Sequence, residues 1–372
     1  MKKILTFFFL LTILSGAYAQ DEGIVYQDHI YVDNIKSVKF HLNGAVLSYP
    51  IIDLQSNGQL MLSFDDLDEE IKDYMYTFVH CDYNWKPSKN ISDMDYIDGF
   101  SEEDIDNYDF SFNTLTNFTH YQLFIPNEDI RWTKSGNYIL KVYDNTDEKK
   151  LAITRRIMVV NPRVRILPQL TYPSDVSKGR THHEVDFVIA HKGFEIRNPN
   201  VEINIAVLQN GRWDNAIKDL KPLFVKQEEI IYDFQDKITF PAGKEFRFAD
   251  LRTLKYKTQS MFELFETRDG YEVTLFQDKN RYNKGYLTDP DLNGHFVIET
   301  LDENDDNLRG DYCEALFSLK ESPAFENADV YIYGGLTDWE IKDEFKMTYN
   351  DIINSYVAKV YLKQGFYDYI YA

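Results

Sequence analysis

The chain has 372 residues, with 61 Asp and Glu against 40 Lys and Arg, a net charge of −21. That balance excludes a role on phosphate backbones, which need clustered cations, and favours solubility. The length exceeds what one hydrophobic core usually serves, so two or three domains are expected.

The first elements form an export signal. Met1-Lys2-Lys3 precedes an apolar run from Ile4 to Leu14, and Ser15-Gly16-Ala17-Tyr18-Ala19 ends it before Gln20. A positive start, a short apolar stretch and an A-x-A site predict a removable signal peptide over residues 1–19. Its loss takes away Lys2 and Lys3 and moves the net charge from −21 to −23. The run is well short of the roughly 20 residues that span a bilayer, and no later stretch approaches that length. No Cys follows the cleavage site. The mature chain is therefore expected to be exported without a lipid anchor or direct membrane insertion.

Beyond this segment, Tyr, Phe, Val and Ile recur at alternate positions, the period of a half-buried strand. Tyr138, Leu140 and Val142 alternate in this way, as do Leu151, Ile153, Ile157 and Val159, and Val201, Ile203, Ile205 and Val207. Asn43-Gly44, Asn57-Gly58, Ser135-Gly136-Asn137, Asn210-Gly211 and Asn293-Gly294 punctuate the runs as turns. Many short strands divided by Gly and Asn turns predict an all-β chain of tandem antiparallel β-sandwiches, immunoglobulin-like or early-set-like.

The first module is expected over 20–162, closing with strands Asn137–Tyr143 and Leu151–Val160. Asn161-Pro162-Arg163 follows as a joint, because Pro cannot continue a central strand. The second is expected over 163–321, with an amphipathic stretch from Trp213 to Leu220 that suits a short helix. A partial early-set-like module fills 322–372, with a strand over Asp329–Gly335 and a hairpin joining Tyr356–Leu362 to Phe366–Ala372 through Gln364-Gly365. About four strands precede the end where a sandwich needs roughly seven. The sequence is thus expected to be a fragment, or to have its last strand completed by another chain.

Candidates for chemistry are few. Asp289, Asp291 and Asn293 occupy positions 1, 3 and 5 of a calcium-type loop with Gly294 at 6, but position 12 is Thr300 where a bidentate Glu is needed. An Asx-rich turn is the better reading, and Asp302 to Asp306 reads as a solvated acidic loop. His182-His183-Glu184 opens a strand and lacks the helical i, i+4 spacing of a zinc protease. Paired acids such as Asp65-Asp66 and Glu102-Glu103-Asp104 do not supply the facing geometry of a glycosidase. No nucleophile elbow, P-loop or dinucleotide fingerprint occurs. Neither an enzymatic activity nor a cofactor is expected. Cys81 and Cys313 lie in different expected modules and read as buried free thiols. Trp85 and Trp132, beside loops, are either core residues or anchors for a partner.

Several stretches resemble one family: SYPI at Ser48–Ile51, SFDDLD at Ser63–Asp68, YTFVHCDYNW at Tyr76–Trp85, YIDGF at Tyr96–Phe100 and DFSFNT at Asp109–Thr114. TKSGNYILKVY at Thr133–Tyr143, TRRIMVV at Thr154–Val160, HKGF at His191–Phe194, QNGRWDNAI at Gln209–Ile217 and GLTDW at Gly335–Trp339 continue the match. The chain resembles the type IX secretion system plug proteins. That resemblance implies an exported, periplasmic protein that associates with the outer-membrane translocon barrel and closes its periplasmic mouth when no cargo passes. It implies no catalytic residues, and it implies a chain that continues past Ala372. The alternative is a carbohydrate-binding or enzyme-accessory module, suggested by Tyr331-Ile332-Tyr333-Gly334-Gly335 followed by Thr337-Asp338-Trp339.

Overall fold

The computed structural model describes residues 23–146, 148–242, 246–281 and 291–372. The expected signal peptide and Asp289 lie outside the described residues.

The first module is a β-sandwich. One sheet orders His29–Ile30, Lys150–Val160, Gly136–Asp144, Tyr74–Cys81 and Glu102–Asp104, with Ile51–Asp53 parallel to Lys150–Val160. The other orders Ile35–Leu42, Leu60–Asp66, Thr119–Ile125 and Tyr108–Phe110. Alternation builds the core between them: Leu60, Leu62 and Phe64 face Tyr76, Phe78, Leu140 and Val142, all buried. The strands expected over Asn137–Tyr143 and Leu151–Val160 are found within one residue of their predicted ends.

The second unit is smaller than expected. Its sheet orders Arg165–Thr171, His182–Ala190, Glu229–Tyr232 and Phe224–Val225, with Thr239–Pro241 on the second strand. A second layer of regular strands does not form. Val201 lies in a helical turn, Pro199–Glu202, and only Ala206–Val207 of the expected strand pairs, with Ile217–Lys218. Proline at the first helical position favours that turn over an extended run. Trp213–Leu220 is a turn and a two-residue strand, not a helix.

The third unit begins well before residue 322. Met261–Glu266, Tyr271–Leu275, Tyr312–Lys320, Ser355–Lys363 and Lys346–Asn350 form one face; Arg247–Asp250, Phe296–Ile298, Gly365–Tyr371 and Val330–Tyr333 form the other. One buried cluster, from Ala249 to Tyr369, lies between them. The division expected at 321–322 therefore falls inside a hydrogen-bonded sheet. The strands of 247–320 and those that follow belong to one sheet system.

The expected terminal hairpin is not one. Ser355–Lys363 pairs with Tyr312–Lys320 and Lys346–Asn350, whereas Gly365–Tyr371 pairs with Arg247–Asp250, Phe296–Ile298 and Val330–Tyr333. The chain turns a corner at Gln364 and crosses from one face to the other of a single ten-stranded sheet, whose faces Val330–Tyr333 joins by pairing with Lys346–Asn350. Gln364 is buried, and its amide accepts from Asp311 N at 2.9 Å while donating to Arg252 O at 3.1 Å and Asp302 Oδ2 at 2.9 Å. A Cβ at Gly365 would meet Val297 O at 2.4 Å, so the corner requires glycine.

Candidate interaction surface and module junctions

The modules do not sit as beads on a string, because the third folds back against the first. Asp65, on Leu60–Asp66 of the first module, is fully buried by the third. Its Oδ2 accepts from Lys363 Nζ and from Tyr312 Oη, both at 2.7 Å, and its Oδ1 lies 2.6 Å from His120 Nδ1. Burial pushes the Asp65 carboxyl up, but the Lys363 ammonium and the His120 bond outweigh it and hold the group below the usual carboxylate range. Burial, then the Asp65 charge, drives the Tyr312 phenol well above its ordinary value. Ser37, at a bulge with φ 54, shares a hydrogen bond with the same phenol at 2.8 Å.

Two further contacts extend this seam. Asp311 accepts the backbone N–H of Leu115 at 2.5 Å and of Thr116 at 3.1 Å. Arg155 lies 3.3 Å from Asp338, which also accepts from Lys342 at 3.1 Å. Burial would raise the Asp338 carboxyl, yet Arg155 and Lys342 lower it overall. Lys39 donates to Phe296 O at 2.6 Å and rests 4.1 Å over that ring; burial brings its ammonium down to about 8.

The middle unit is tied to both neighbours by arginine–aromatic stacking. The Arg156 guanidinium lies 4.5 Å from the Trp85 ring and 5.1 Å from the Trp213 ring, and the two indoles meet edge to face at 5.1 Å. Arg212 sits 4.2 Å over Trp339 and pairs with Asp214 at 2.6 Å, and Asp214 also accepts from Tyr333 Oη at 3.0 Å. At the Asn210-Gly211 turn φ is +68, and a Cβ on Gly211 would come within 2.0 Å of the Tyr49 ring. Cation and ring thus meet at each junction of the middle unit.

These placements correct the anchor expectation. Trp85 is 2% exposed and Trp132 9%, so neither presents a face to a partner. Trp85 follows a strand and an Asp, which reads as a loop in sequence, but Arg156 and Trp213 cover it. Trp132 packs edge on against Phe78 inside the first sandwich.

Of the calcium-type candidate, Asp291 and Asn293 are described. Asn293 N donates to Asp291 Oδ1 at 3.0 Å and Asn293 has φ 55, the geometry of an Asx turn. Among the described residues no three His, Cys, Asp or Glu side chains group as a metal site. Asp302, Asp305 and Asp306 accept backbone N–H groups of Leu254, Asn307, Leu308 and Thr300, organising their own loop. His182 opens the strand His182–Ala190. Cys81 and Cys313 are buried and unpaired, and burial pushes the Cys81 thiol up to about 12.

The outer face of the middle sheet is open to a partner. Pairing sets Leu167 opposite Val188, Val188 opposite Ile231, and Ile231 opposite Phe224. These four form one apolar row across all four strands, on the face away from the buried Phe187, Ile189, Ile230 and Tyr232. Leu167 is 42% exposed and Phe224 61%. Residues 163–242 hold eleven Lys and Arg and eleven Asp and Glu, so the whole acidic excess of the chain lies outside the middle unit. A charge count by segment would have singled out this unit from sequence alone.

Among the described residues no helix is long and apolar enough to cross a membrane. No curated protein matches the chain. A crystal structure of a hypothetical protein from Parabacteroides merdae is similar throughout, with a TM-score of 0.89 and 31% identity over 94% of this chain and 87% of that one. Residues 35–161 match the type 9 secretion system plug protein 1st domain, a span that coincides with the first sandwich. The chain therefore belongs to the type IX secretion system plug protein family.

Proposed function

We propose that this protein is exported to the periplasm and binds the outer-membrane type IX translocon, closing its periplasmic mouth when no cargo is engaged. A stopper for a wide pore must be broad and must not flex, whereas domains joined by short linkers move relative to one another by default. The observation that carries the proposal is the buried Asp65–Lys363 pair, which ties the first module to the third across 298 positions of chain. Arg156, held between Trp85 and Trp213, fixes the middle unit to the same body. The role is binding, without catalysis. A sugar-binding role would need an exposed aromatic platform; two of the four tryptophans are buried, and Trp213 and Trp339 are each covered by an arginine. Deletion of the gene should admit a large, normally excluded antibiotic, read as a lowered inhibitory concentration that plasmid-borne wild type restores. An unchanged inhibitory concentration would remove the proposal.

A further inference from the structure

The open face of the middle sheet has an ordered chemistry that names its occupant. On one side of the row Leu167, Val188, Ile231 and Phe224 lie Arg165, Ala190 and Glu229, which pair across the strands. Glu229 is neutralised by Lys226 at 3.0 Å, while Arg165 has no carboxylate partner among the described residues. On the other side lie Gln169, Asp186 and, one step beyond the Phe187–Tyr232 pair, Asp233. Asp186 accepts from Thr171 Oγ1 at 3.2 Å through Oδ2, and its Oδ1 is buried with no hydrogen-bond partner. The face is thus basic, apolar and acidic in successive rows, each about 7 Å from the next.

Backbone recognition is impaired at the adjoining edge. Val185 N donates to Ile238 O, away from the Arg165–Thr171 strand, so the residues facing Val185, Phe187 and Ile189 turn their backbone groups to the free edge. Those residues are Leu170, Pro168 and Ile166, and Pro168 has no N–H to offer an added strand. Docking on the face, by side chains, is therefore favoured over strand addition at this edge.

Four strands about 4.8 Å apart give a row about 14 Å long, so an occupant must also reach the charged rows on both sides to approach the roughly 800 Å² that a specific interface buries per partner. The first and third modules carry the whole acidic excess of the chain, so bringing two copies together sets like charge against like, whereas a partner of different charge meets the neutral middle unit without that cost. We infer that this face docks a folded protein surface bearing an apolar ridge, with carboxylates opposite Arg165 and a cation opposite Asp233. The inference rests on the proposed plug role, in which that surface belongs to the translocon.

The test is recovery of the translocon with the tagged full-length protein. Wild type should retain it. Leu167→Asp with Phe224→Asp should lower recovery at least tenfold, Arg165→Glu should lower it less and more strongly at low salt, and Arg165→Lys should restore it. Ile352→Asp, on a 90% exposed apolar residue of the third module, should leave it unchanged. Thermal unfolding of each variant should match wild type, since the altered side chains are exposed. Full recovery by the Leu167/Phe224 variant would overturn the docking face and leave the plug role standing. Failure of wild type to retain the translocon would remove both. A wild-type dimer that the Leu167/Phe224 variant loses would assign the face to a second copy and overturn the inference.

Discussion

Replacing Lys363 with Met tests whether the seam between the first and third modules is a structural lock. The Lys363 side chain is 1% exposed; its ammonium bonds Asp65 at 2.7 Å and Asn307 O at 2.5 Å and lies 4.0 Å from the Phe118 ring. Methionine fills the space and leaves the Asp65 carboxylate buried without its cation. Removing one member of such a pair costs about 3–5 kcal/mol. For modules of this size that should lower the melting temperature by on the order of 10 °C, read by circular dichroism. Adding Asp65→Asn removes the stranded charge and should recover at least half of the loss. The sign with pH is fixed as well. In the wild type the Asp65 carboxyl is held below its ordinary 3.8, so its contribution is complete above that value and fades as pH falls further. In Lys363→Met burial dominates, the carboxyl rises, and the deficit should be largest near neutral pH and should shrink as Asp65 takes up a proton. A loss below about 1 kcal/mol, or a double variant no better than the single one, would refute the lock.

Burial brings His295 down to about 4 from 6.5. The folded state then resists a proton that the unfolded chain accepts, so stability should fall as pH drops from 6.5 toward 4, by about 2 kcal/mol after allowance for partial exposure. His295→Gln should flatten that slope in a pH series of unfolding curves. Asp368 behaves oppositely: burial lifts it to about 6 while Leu292 N and Gly294 N donate to its Oδ2. Asp368→Asn should stabilise the protein at pH 8 by about 2 kcal/mol and leave it unchanged at pH 4. Trp213→Ala removes one face of the Arg156 stack, and hydrogen exchange should quicken in Arg165–Thr171 and His182–Ala190 with the first module unaffected. Gly211→Ala demands both a strained φ and the space of the Tyr49 ring, so it should destabilise by more than 1 kcal/mol in denaturant unfolding.

The sequence carried the first module well, because alternation there is unbroken. Tyr138, Leu140 and Val142 all point into the core and the flanking strands pair along their whole length. The end of the strand Lys150–Val160 just before Pro162 also reads directly, since proline ends a run whatever surrounds it. The terminal hairpin misled for a physical reason. Two alternating runs with a short Gln-Gly link satisfy a hairpin and a face-crossing corner equally, and the buried amide of Gln364 chooses the corner. Val201 to Val207 alternate as a strand would, but no neighbouring strand is placed to pair most of them. The burial of Trp85 depends on Arg156 and on Trp213 of the middle unit, a contact that local spacing cannot show. The Asp65–Lys363 pair has no local signature at all. The docking face was within reach, because the row residues and the neutral segment charge can both be counted, but only pairing in the sheet shows that Leu167 and Phe224 share a face.

The central claim is that a single stiff body closes a pore, and ion current through the purified translocon in a planar bilayer tests it most directly. Adding this protein from the periplasmic side should reduce the conductance in a saturable way, and the Lys363→Met variant should leave a noisier, incompletely closed state. A conductance that does not change at saturating protein would contradict the account.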